Sequence, residues 1–305
     1  MSINRTIDII KNIYKPHRIT LKGKTSIFET TSGKFLVKEK GKSNIKSLYN
    51  YLVSRGFDNF PTLIDGNRSE LNVFEYIESI DTPKEQKAGD LINVIANLHN
   101  KTTYFKEVTE DQYKKIYEDI IHNINYLGDE YNKEFDRIVK VVYMSPSDYL
   151  LIRNSTKILA AFEFCKRELD EWYKMVKEKR KQRVSLVHNN LSIDHLVRNQ
   201  KDYLVSWDSS KVDTPILDLI SLYKNEFRGL EFEELINNYM KLFPLEEDEK
   251  KLFFIVLALP PKLETNGSEF NKTMQIGRIL DYIYKTENLV RPYYTNEEPE
   301  EKPQL

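Results

Sequence analysis

The chain is short of cysteine, glycine and long apolar runs, and each shortage excludes something. One of its 305 residues is a cysteine, Cys165, so no intrachain disulfide can form and the composition suits a reducing compartment. Cys165 lies in "AAFEFCKRELDEW", an apolar stripe at helical spacing, and reads as a packed core thiol rather than a nucleophile. There is no CxxC, and the five histidines include no pair of the HExxH kind, so no zinc site is indicated. Ten glycines against nineteen tyrosines mean few tight turns and many half-buried aromatics, the balance of a helix-rich chain. The most apolar run, "LFFIVLALPP" (252–261), is about half the length of a membrane span. The N-terminal "MSINRTIDIIKNIYK" lacks the apolar core of a secretory signal. Neither sign of charge dominates. The formal net charge of −1 gives no argument for nucleic acid or an anionic membrane as partner. The expected location is cytoplasmic.

What is present divides into a β-rich start and a helical remainder. Apolar residues make up 40% and charged residues 30% of a chain long enough for two lobes. Ile7, Ile9, Ile10 and Ile13 fit a short amphipathic helix over 4–14. "RITLKGKTSIFETTSGKFLVKEKG" (18–41) alternates like strands, with "TSGK" as a hairpin turn. "SNIKSLYNYLVSRGF" (43–57) reads as a helix closed by Gly56. "FPTLIDG" and "LNVFEYIES" (71–79) read as two strands around the turn "GNRS". After "DTPKEQ" come a helix over 87–104 and helical spacing over 109–183, broken at "MSPSD" (144–148). A strand-like pair at 195–208 precedes helices at 216–226, 231–243, 247–258 and 270–288. The polar, acidic end "TNEEPEEKPQL" reads as disordered. The expected architecture is α+β: a β-rich lobe 1–80, a hinge 81–86, a mainly helical lobe 87–293 and an acidic tail 294–305.

The chemistry-bearing residues concentrate in "SLVHNNLSIDHLVRNQKDYLVSWDSSKVDTPILDL" (185–219). An apolar approach leads to His188, and Asn190 and His195 follow in the same loop. "YLVSWD" reads as a strand bearing Ser206 and Asp208, and "DTPILDLISLY" opens a helix bearing Asp218. This segment resembles the aminoglycoside phosphotransferase and choline kinase-like family, whose usual text is "HGDLxxxN…IDWE…GDPxxDL". The spacing from Trp207 to Pro215 and on to Asp218-Leu219 matches without gaps. It is also similar to kinase-like proteins associated with bacterial spore coats, which share "YLIDFD…YD.P..DL", as is the C-terminal "PPKLE…TMQIGRILDYIYKTENLV". The resemblance implies a two-lobed protein-kinase-like fold, with a small antiparallel sheet lobe, a large helical lobe and a catalytic-like loop at 186–219.

Carried over by position, Lys38 in "KFLVKEKG" resembles the strand lysine that contacts ATP phosphates, although Lys40 shares its alternation. The glutamate that would orient this lysine is missing from "SNIKSLYNYL". "LKGKTS" offers only Gly23 for a phosphate-covering loop. His188 and Asp218 take the family's loop-bracing roles, and His99 in "IANLHNKTTYF" matches a family helix. The reacting positions depart from the pattern. Asn190 stands where the family has an aspartate base, and a neutral amide cannot accept the acceptor's proton. Ser206 stands where a carboxylate holds magnesium, and one neutral oxygen is a weak ligand for a hard dication. His195 replaces a metal-holding asparagine. Asp208 would share a strand face with Ser206 and is the candidate substitute ligand, with Asp194 as a second acidic group.

Three readings follow. In the first, the chain is a catalytically inactive pseudokinase that needs neither ATP nor magnesium and recruits a protein partner, as in a spore-coat-like assembly. In the second, it is an active ATP-dependent phosphotransferase on a small hydroxylated substrate, using a non-standard metal site. In the third, it senses nucleotide through Lys38 without transfer. The basic run "KMVKEKRKQR" (174–183) reads as the solvated end of a long helix or a contact for an acidic partner. The tyrosines form no stacking cluster for single-stranded nucleic acid.

Overall fold

The computed structural model describes residues 10–22, 25–41, 44–65, 71–264 and 266–295. The expectations placed on Ile7, Ile9, Gly23, the "GNRS" turn and 296–305 lie outside these residues. The chain forms two compact units. The first comprises Met1–Tyr104, Ser185–Asn225 and Leu235–Phe243, and the second Phe105–Val184, Glu226–Glu234 and Pro244–Leu305.

In the first unit the strands β1 (Arg18–Lys22), β2 (Thr25–Thr30), β3 (Gly33–Glu39), β4 (Leu63–Asp65) and β5 (Leu71–Glu75) make one sheet in the order β1-β2-β3-β5-β4. Every pairing is antiparallel. Register divides the two faces. Phe28 lies opposite Phe35, and Val37 opposite Val73. Phe28, Val37, Leu71 and Val73 join Ile10 in a buried cluster. Alternation therefore turns Leu36 and Lys38 to the other face, beside Ile27, Thr25 and Phe74. Helix α1 (Ile45–Ser54) begins at Asn44, whose side chain accepts the Ser47 N–H at 3.2 Å. It buries Ile45, Tyr49 and Leu52 and is followed by Gly56 at φ +70°, a left-handed residue of the kind that closes helices. Helix α2 (Lys84–Thr102) starts earlier than its apolar periodicity suggested.

In the second unit, α3 (Glu110–Ile138), α4 (Pro146–Arg153), α5 (Ser155–Val176), α8 (Glu247–Ala258) and α9 (Glu269–Thr295) enclose a core that includes Tyr131, Phe162, Cys165, Trp172, Ile255 and Ile279. Capping boxes at Thr109 and Ser145 start α3 and α4. Cys165 is fully buried, and that burial pushes its thiol up to about 12, so it is a packing group, as its stripe implied. Tyr293 and Tyr294 remain helical, Tyr293 packing tilted on Phe254 at 4.6 Å and Tyr294 meeting Phe164 edge-on at 5.1 Å. The acidic tail therefore cannot begin at 294.

Three strands escaped the periodicity: β6 (Tyr104–Glu107), β7 (Lys181–Val187) and β10 (Lys211–Asp213). The basic run accordingly leaves its helix at Val176 and enters β7. It is no solvated helix end: Lys179 bonds Asp248 at 2.6 Å, and Arg183 forks onto Glu249. Among the described residues no helix is long and apolar enough to cross a membrane.

Candidate functional site

The site is assembled where β7 delivers the chain to His188. Helix α6 (Ile216–Glu226) sets Asp218 in its first turn, and the Asp218 carboxylate accepts the backbone N–H groups of His188 at 2.8 Å and Asn189 at 2.7 Å. His99, on α2, reaches the same carboxylate through Nε2 at 3.1 Å, and its Nδ1 lies 2.6 Å from the Tyr239 hydroxyl on α7 (Phe232–Leu242). A carboxylate oxygen accepts, so Nε2 carries the proton and Nδ1 accepts from the tyrosine. His99, His188 and Asp218 are all fully buried, so water cannot replace the hydrogen bonds that the Asp218 carboxylate accepts.

The brace holds an unusual backbone. Asn189 sits at φ +61°, a left-handed conformation that asparagine accepts better than most residues, where the resembled text has glycine. Its side chain donates to the Ser209 carbonyl at 3.3 Å. His188 Nε2 donates to the Val205 carbonyl at 2.8 Å. Its Nδ1, left as an acceptor, is buried without a hydrogen-bond partner among the described residues.

The strand β8 (Leu196–Arg198) pairs with β9 (Asp202–Leu204), and the strand character stops there. Ser206 is left-handed (φ +67°, ψ +49°), and Trp207–Ser209 is a single 3-10 turn. The expectation that Ser206 and Asp208 project from one strand face is thus corrected, because the chain turns between them. Trp207 pins the turn: it is 2% exposed, donates Nε1 to the Leu204 carbonyl at 2.8 Å, and meets Phe57 edge-on at 6.1 Å. The turn aims Asp208 at Lys38, and the two form an ion pair. Gly41 also lies against Asp208.

Lys38, Asp194, Ser206 and Asp208 line one cavity of about 390 Å³, whose apolar wall includes Ile27, Leu36, Phe74, Ile77, Val197 and Val205. Asn190 is solvent-exposed, and neither it nor His195 lines this cavity. The Tyr49 hydroxyl at the wall is held above its ordinary range, first by burial and then by the Asp208 charge. His195 is held below its ordinary value. Burial is the main cause, and the charges of His188 and Lys38 act the same way against the opposing Asn190 backbone and Asp194. Lys40 was not separable from Lys38 in sequence; register shows that Lys38 is the lysine meeting Asp208.

The apolar part of the lining could receive a heterocycle of the kind a nucleotide base provides. The residues present do not fit magnesium. Asp208 is already neutralised by Lys38, Ser206 adds only a neutral oxygen, and among the described residues no three His, Cys, Asp or Glu side chains converge on a metal position.

No family model matches the sequence, and no curated protein matches it. Solved structures do match. An aminoglycoside phosphotransferase from Alicyclobacillus acidocaldarius superposes with a TM-score of 0.67 at 9% identity, over 91% of this chain and 92% of that one. A spectinomycin phosphotransferase, solved with ADP and spectinomycin, gives 0.53 at 11% identity, over 94% and 99%. A microcompartment-associated aminopropanol kinase gives 0.51 at 14% identity, over 96% and 98%. The chain therefore has a kinase-like fold. More narrowly, it is the fold of aminoglycoside phosphotransferases, as the "WD…P..DL" spacing implied.

Proposed function

We propose that this chain is a pseudokinase: a kinase-fold binding protein that transfers no phosphoryl group and recruits a protein partner. One observation carries the reading. The lysine that would meet phosphates is occupied by Asp208, while the positions of the reacting carboxylates hold neutral Asn190 and Ser206. The cavity then takes a nucleotide weakly or not at all. Recruitment is supported by apolar side chains left in solvent in the second unit, Val142 at 87%, Tyr143 at 89% and Phe270 at 73% exposure. The Ser147 N–H donates to Glu269 at 2.7 Å, which joins the two segments that bear them. The similarity of 203–219 to spore-coat-associated kinase-like proteins supports an assembly of that kind.

The test is thermal unfolding with excess ATP, with and without magnesium. A ligand at a hundred times its dissociation constant adds about 2.7 kcal/mol, a midpoint rise on the order of 5 °C for a chain this size. The expected result is no such rise under either condition. A rise without metal would instead make the protein a nucleotide sensor.

A second reading, an active phosphotransferase on a small hydroxylated substrate, draws on the two carboxylates Asp194 and Asp208 that line the same cavity as Lys38. It requires a magnesium-dependent rise, together with turnover that Asp208→Ala abolishes.

A further inference from the structure

The second unit contains a larger cavity, about 550 Å³, whose lining residues all belong to that unit. It is a groove between α5 and α9. On α5, Ala160 and Ala161 face it, and Ala258 closes it from the end of α8. These three short side chains leave unfilled the space that helix packing ordinarily fills to crystal-like density. The floor is apolar and buried, with Ile283 and Val290 of α9 at 4% and 5% exposure.

The charges around the groove are unequal. Lys157, Arg167 and Arg291 line it against one carboxylate, Glu287. Glu287 is shared by Lys157, at 2.6 Å, and Arg291. Arg167 lies beyond that cluster. Its Nε donates to Glu168 at 3.0 Å and its guanidinium stacks 5.6 Å from the Phe164 ring centre. Its terminal amino groups make no hydrogen bond among the described residues. A planar guanidinium with both terminal groups available matches a carboxylate in a two-point fork. From Arg167 to Lys157 the groove follows ten residues of α5, ~15 Å at the helical rise.

We propose that this groove binds a single-chain amphipathic carboxylate, with its head on Arg167 and its alkyl tail laid over Ala160, Ala161, Ile283 and Val290. An alkyl tail suits the floor better than a peptide, because a peptide would bring backbone N–H and C=O groups onto apolar side chains that cannot pair them. The site is independent of the cavity at Lys38 and of the pseudokinase reading.

The probe is decanoate, kept below its micelle threshold and titrated calorimetrically into the full chain, with acetate and decanol as head-only and tail-only controls. The expected result is saturable one-to-one binding of decanoate that neither control reproduces. Arg167→Gln should weaken it at least about tenfold, the size of one lost charge-assisted contact. Arg167 is 67% exposed, so this variant keeps the fold, which circular dichroism would verify. Ala161→Leu, which fills the groove, should abolish binding while leaving the unliganded melting temperature no lower. Absence of saturation, equal binding of decanol, or undiminished binding by either folded variant would overturn the proposal.

Discussion

Asp218 and Asp208 are both carboxylates of the first unit, and the protein uses them differently. Asp218 is fully buried and accepts two backbone N–H groups and a histidine. The Asp208 side chain keeps 37% of its exposure, at the mouth of a cavity with a lysine as ion-pair partner. A buried carboxylate must have its acceptors filled, and those of Asp218 are filled by the loop backbone and His99. A half-exposed one is replaceable. The contrast separates a carboxylate that holds the fold from one that the fold leaves accessible.

Asp218 should show the larger effect of the two. Asp218→Ala strands two buried N–H donors and His99, and should cost about 3–5 kcal/mol, read as a shift of the urea midpoint. Asp218→Asn, which keeps the shape and part of the pairing, should lose less. Ser206 tests the turn that delivers Asp208 to Lys38. A β-branched residue is disfavoured at its left-handed backbone, so Ser206→Val should destabilise by about 1–2 kcal/mol where Ser206→Gly does not. If both variants melted alike, the turn would not be under that constraint.

Asp208→Asn should change stability by no more than about 1 kcal/mol, as for other solvent-screened ion pairs. A loss matching that of Asp218→Ala would mean that both carboxylates hold the fold. The smallest effect concerns pH. His195 titrates below its ordinary value of 6.5, so the unfolded chain takes up the proton first. Its contribution to stability is complete above 6.5 and is lost as pH falls through the lowered native value. His195→Asn should therefore flatten the acid limb of a stability–pH curve slightly, and an unchanged limb would assign that limb to other groups.

Much of this was legible in the chain. The alternation over 18–41 marked the strands of the sheet, Gly56 marked the end of α1, and the spacing from Trp207 to Asp218 identified the fold. The strands β6, β7 and β10 were not legible. β6 and β10 are four and three residues long, too short for a period of two to show, and β7 opens on the polar "KQR" that continues the basic run. The turn at Ser206 carried no glycine to announce it. The partners of the basic run lay more than sixty residues away: Arg183 meets Glu249 across a separation of 66.

The sequence by itself determined the two periodicities that make a small sheet and a helical remainder, and the neutral residues at 190 and 206. Both follow from local backbone geometry and side-chain chemistry. Only the tertiary structure decided which acidic residue meets Lys38, across a separation of 170 residues, and that a groove is left open where α5 presents alanines to α9. Those outcomes depend on which faces packing brings together and how much water it removes from them, and no local window of the chain contains that information.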